Sequence, residues 1–70
     1  MMTMHLRIEV DREEDGRWIA EISELPGVLA YGVDRRSAEQ SARALALRVI
    51  ADKIEHGEME NETTFAFEAA

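Results

Sequence analysis

The sequence predicts an α+β domain in the order βββαβ, one antiparallel sheet with a single helix packed on one face. Three observations predict it. Apolar and polar residues alternate from Met4 to Val10 and again from Trp18 to Ile22, the period of a half-buried strand. Asp15-Gly16, Leu25-Pro26-Gly27 and Gly32 punctuate the chain and bracket a third, short strand. From Asp34 to Gly57 the apolar spacing becomes helical, and Thr63 to Glu68 then alternates again around Phe65 and Phe67.

In the first strand Met4, Leu6, Ile8 and Val10 form one row, with His5, Arg7, Glu9 and Asp11 opposite. The run Asp11 to Gly16 breaks the pattern, and Asp-Gly supplies the positive-φ geometry that hairpin turns need. Trp18, Ala20 and Ile22 resume the row, with Arg17, Glu21 and Ser23 opposite, so these two strands pair as an antiparallel hairpin. Pro26 has no N–H for a ladder bond and Gly27 tolerates turn geometry, which ends the second strand. Val28 to Tyr31 is the third strand, stopped or kinked by Gly32.

Asp34 or Ser37 caps the helix. Asp34 is placed to accept from first-turn amides, and Ser37 with Gln40 reads as a capping box. Gly57 is a natural stop. Ala38, Ala42, Leu45, Ala46 and Val49 share the face that covers the sheet, while Leu47, Ile50, Ala51 and Ile54 lie mostly on a different arc. That second arc has two readings. Either the apolar stripe drifts as the helix crosses the sheet, or Leu47, Ile50 and Ile54 form an interface with another copy or a partner. The uncovered sheet face carries His5, Arg7, Glu9, Arg17 and Glu21, with Ile19 among them.

Seventy residues make one domain, 1–70. A core of this size supplies about 3–5 kcal/mol. With no cysteine, disulfides and thiolate metal sites are excluded, so self-association or a partner is the expected source of further stability. A homodimer or larger is expected. Fifteen acidic residues against eight basic ones give a net charge of -7, which phosphate backbones repel and basic proteins attract. Direct nucleic-acid binding is therefore not expected. The N-terminal segment alternates where a secretory signal needs a continuous apolar run, and no stretch reaches the length of a membrane span. A soluble cytoplasmic protein is expected.

No constellation argues for catalysis, a metal or a cofactor. Glu13, Glu14 and Asp15 are three successive loop carboxylates without a calcium-loop pattern, and read as a solvated hairpin tip. His5 and His56 are far apart in sequence, and Ser23, Ser37 and Ser41 sit in no nucleophile-elbow context. Gly27 and Gly32 lack the spacing of a phosphate loop. Trp18 has two readings, a core residue or an interface anchor.

The string EDGRWIAEISELPGVLAYG, followed by an alanine-rich helix, resembles the HicB-like antitoxin family. The resemblance rests on Asp15-Gly16, Trp18, Ala20-Glu21, Leu25-Pro26-Gly27, Gly32 and the helix from Asp34, and covers about residues 5 to 57. Ser23 stands where the family often has proline. The family implies a partial ribonuclease-H-like fold without that nuclease's catalytic carboxylates. It also implies a partner, a small basic HicA-like toxin ribonuclease, whose active site and RNA-binding surface the antitoxin masks. Many members carry a further DNA-binding module; the expectation here is a single-domain member without one. For such a partner the expected binding residues are the acids Glu9, Glu21 and Glu24, with Trp18 as a candidate pocket anchor. The alternative is an orphan domain of the same fold that acts as a homo-oligomeric interaction module with no toxin.

Overall fold

The structure is a computed structural model that describes residues 2–60 and 62–69. It is an α+β fold of the expected order: β1 Met2–Arg12, β2 Trp18–Glu21, β3 Leu29–Gly32, α1 Arg35–Glu55 and β4 Thr63–Ala69. The sheet order is β3-β2-β1-β4, with the helix on one face. The sheet is mixed rather than antiparallel, because β4 runs parallel to β1. The cause is the single helix. It carries the chain back along the sheet after β3, so β4 starts from the end where β1 starts, as in any helical crossover.

β1 changes partner midway. Met2 to Ile8 pair with Thr63 to Ala69 of β4, whereas Glu9 to Arg12 pair with Glu21 to Trp18 of β2 on the other flank. The sheet is therefore staggered, and the molecule is drawn out to 40 × 20 × 15 Å.

The first hairpin closes through a three-residue loop, Glu14 to Gly16. Gly16 N–H donates to Glu13 O at 2.9 Å, Glu13 N–H to Arg17 O at 2.7 Å, and Gly16 sits at φ +93°. Asp15 accepts from the Arg17 N–H at 3.0 Å and from Arg17 Nε at 2.7 Å. The Arg17 amide above all, with its guanidinium, holds the Asp15 carboxyl below its ordinary 3.8. A lowered folded-state value means that this support is present at neutral pH and lost as pH falls through it. Arg17 thus supports the turn and, as expected, stands on the open face, its guanidinium over the Tyr31 ring. In the second turn Val28 N–H donates to Leu25 O at 3.1 Å and Gly27 adopts φ +88°, the Pro-Gly signature of a type II turn.

Asp34 is the helix N-cap, and its partner is Ser37 rather than Gln40. Ser37 N–H donates to Asp34 Oδ1 at 2.7 Å, and Asp34 N–H to Ser37 Oγ at 3.3 Å. The reciprocal pair takes the first turn, so the Ser37–Gln40 box has no helix start left to serve. At the other end His56 is the C-cap and Gly57 turns away at φ +70°.

The core comprises Leu6, Ile8, Ala20, Ile22, Leu25, Val28 and the helix row Ala38, Ala42, Ala46 and Ile50. Small side chains every fourth residue let the helix lie close to β3 and β2. Closest of all is Gly32, where an added Cβ would lie 2.3 Å from Ala38 N. Ile50 corrects the reading of the outer arc. It continues the alanine row by one turn and is only 4% exposed, so it is core and not interface. Leu47 and Ile54 do remain outside, 53% and 48% exposed.

Candidate protein-interaction surface

The helix covers one face of the sheet and leaves the other open. Direct partners across a ladder share a face, so the open side collects His5, Arg7, Glu9 and Asp11 from β1 and Ile19 and Glu21 from β2. Leu29 and Tyr31 join them from β3, and Thr64, Ala66 and Glu68 from β4. His5 Nδ1 lies 2.5 Å from Glu68 Oε1, and Thr3 and Thr64 hydroxyls are 2.9 Å apart, which knits the β1–β4 half. The β1–β2–β3 half is different. Glu9 and Glu21 are direct cross-strand partners in the ladder, so both acids rise from adjacent positions of this face. Like charges so placed oppose folding, on the scale of about 0.2–1 kcal/mol per pair.

Beside that pair the surface is apolar. Leu29, the cross-strand partner of Glu21, is 41% exposed, and Tyr31 is 44% exposed with the Arg17 guanidinium 4.4 Å from its ring centroid. The open face thus offers an acidic centre with an aromatic and aliphatic margin, the mixture that suits recognition of a basic protein. Neither Leu29 nor Tyr31 was a candidate from the sequence. The signal was present in the Val28–Tyr31 alternation: Val28 is buried, so Leu29 and Tyr31 must face the other way.

Of the four expected partner-binding residues, the structure brings Glu9 and Glu21 together and sets Glu24 at the strand flank, where it also lines a cleft with Met2 and Met4. Glu24 Oε1 accepts from the Arg7 N–H at 3.2 Å, on the flank of β1 that β2 leaves at Glu21. Trp18 is elsewhere. It shares the parity of Ala20, so it lies on the helix side, half-buried against the core, with Arg12 5.8 Å from its ring centroid. It cannot belong to the same contact surface as Glu9 and Glu21.

The Glu13–Asp15 tip is an open, solvated loop with Arg17 beside it and the Arg12 guanidinium near Gly16. Among the described residues no group of three or more His, Asp or Glu side chains is placed to hold a metal ion, and no buried side-chain polar atom lacks a hydrogen-bond partner. No described helix is long and apolar enough to cross a membrane. Compared with protein-family models, with curated proteins and with solved structures, the chain matches none.

Proposed function

We propose that the chain is an antitoxin-like binding module that neutralises a small basic toxin ribonuclease, HicA-like, by masking its active and RNA-binding surface. It acts by binding and not by catalysis. The observation that carries this reading is the opposed Glu9–Glu21 pair at the centre of the open face. A sheet face that only needs solvating is better served by paired signs. Two glutamates kept opposite each other weaken the free chain and strengthen a complex with a cation, the pattern of a binding site.

Co-expression with the neighbouring reading frame tests it. The expected results are growth rescue, a co-purifying complex, and an association rate that falls steeply with salt. Glu9→Lys, Glu21→Lys and Glu24→Lys combined should abolish rescue. Glu21→Lys alone should leave the free chain about 0.2–1 kcal/mol more stable, since it turns repulsion into attraction. A neighbour that is harmless, or one that binds the triple variant equally well, overturns the proposal.

The exposure of Leu47 and Ile54 favours a second reading, a homo-oligomeric interaction module of the same fold with no toxin. These residues follow Arg43, which stacks 5.2 Å from the Phe67 ring, along the helix flank that overhangs β4. On this reading Leu47→Asp with Ile54→Asp converts a dimer to a monomer in light scattering, and the melting temperature falls and no longer rises with protein concentration. A wild-type chain that scatters as 7.9 kDa at every concentration removes it.

A further inference from the structure

We propose that the first half of β1 binds an extended, cationic segment of another protein as an added strand, seated beside a methionine-lined cleft. This surface lies on the helix side and flank of the sheet and does not depend on the open face.

The first ground is an unpaired ladder. N–H and C=O groups of one residue point to the same flank of a strand and alternate along it. The Arg7 N–H points to the β2 flank, where it meets Glu24. Thr3 and His5 share its parity and point the same way, while Met2, Met4, Leu6 and Ile8 serve β4. Yet β2 ends opposite Glu9, and the chain folds away through the turns between Ile22 and Val28. Among the described residues none pairs with the Thr3 or His5 backbone on that flank. Glu24 already substitutes a side-chain acceptor for the absent ladder at Arg7, so the flank takes an acceptor where one is offered.

The second ground is the cleft of about 340 Å³ alongside, whose apolar lining is Met2, Met4, Leu25, Pro26 and Met59. This is the small end of the range for ligand pockets, about 300–1,000 Å³, room for a few apolar side chains rather than a large cofactor. Methionine adapts its shape to varied occupants. An added strand on the β2 flank directs every second side chain into this space, since alternate residues of all strands share the helix side.

Charge decides the occupant. Glu24, Glu58 and Glu60 rim the cleft against the single cation Lys53, which lies 3.9 Å from Glu58. A second copy of a chain with net charge -7 is repelled there. A segment with apolar residues at alternate positions and Lys or Arg at its ends is attracted.

The probe is the peptide acetyl-RTITVK-amide, added to ¹⁵N-labelled protein. The expected result is slowed amide exchange at Thr3 and His5, with no change in β4 or at Glu9 and Glu21. Replacing Arg and Lys of the peptide by Glu, or methylating every backbone nitrogen, should weaken binding by about ten-fold or more, the equivalent of about 1.4 kcal/mol. His5→Pro removes a flank donor that β4 does not use and should weaken binding similarly. If that variant fails to fold, the methylated peptide decides. No slowing at Thr3 and His5 at millimolar peptide, slowing in β4 instead, or equal binding by the acidic or methylated peptide overturns the proposal. Glu9→Lys with Glu21→Lys should leave peptide binding unchanged, so failure here and failure of the toxin reading are separable.

Discussion

Gly32→Ala should remove most of the protein's stability. The added Cβ would stand 2.3 Å from Ala38 N, 2.4 Å from Ser37 Oγ and 2.8 Å from Ala38 Cα. Two of those three atoms are backbone, which does not swing aside as a side-chain tip does. The helix end is pinned by the reciprocal Asp34–Ser37 bonds, and β3 is pinned by its pairing of Gly32 with Trp18. Overpacking in a well-filled site costs about 1–3 kcal/mol, and a backbone clash between two fixed elements belongs at the top of that range. The total available to a chain of this size is only about 3–5 kcal/mol. At about 4–8 °C per kcal/mol the melting temperature should fall by well over 10 °C. Gly27→Ala is the control: it forces a side chain into positive φ but meets nothing within 4 Å, and should cost less. If Gly32→Ala melts where the wild type does, the helix does not approach β3 as closely as described.

The second large effect is expected for Leu25→Ala. Leu25 is only 2% exposed although it opens a surface turn, and it packs with Ile22 and Val28 beneath the helix. Truncating a buried leucine costs about 2–5 kcal/mol through lost burial and the cavity left behind. Here the cavity would open toward the adjacent cleft, which Leu25 also lines, so relaxation is easy and about 3 kcal/mol is the expected loss in urea denaturation. Pro26→Ala, at an exposed position of the same turn, should change stability by well under 1 kcal/mol. Equal effects for the two would mean that turn geometry, and not the leucine side chain, anchors this loop.

Much of the architecture was legible because each device has a local cause. The β1 and β2 alternation, the Asp15-Gly16 and Pro26-Gly27 turns and the Gly57 stop all act within a few residues. What needed the structure was non-local. Strand direction at β4 follows from how the helix returns the chain, which alternation within Thr63–Ala69 does not encode. Ile50 is a different case: its i+4 spacing continues the Ala38–Ala42–Ala46 row into the core, a local signal that grouping it with the outer arc overlooked. For the candidate surface, Glu9 and Glu21 were legible as exposed acids, but their direct opposition depends on register, which the turn loop sets. The face of Trp18 was legible from its parity with Ala20 and Ile22, and the structure finds it half-buried against the core there.

The exchange of partners along β1 has a kinetic consequence. Its second half finds β2 through a tight hairpin, and the helix docks on β2 and β3 within the same continuous stretch of chain. Its first half waits for β4, whose Thr64 lies 61 positions from Thr3. Closing so long a loop costs little more entropy than closing a shorter one, but contacts of that separation form late. Until they do, Met2 to Ile8 has both flanks unpaired and an apolar row uncovered, the kind of nascent edge that recruits a neighbouring chain. The charge of -7 spread along this chain acts in that interval as a spacer between copies, holding them apart while each closes on itself.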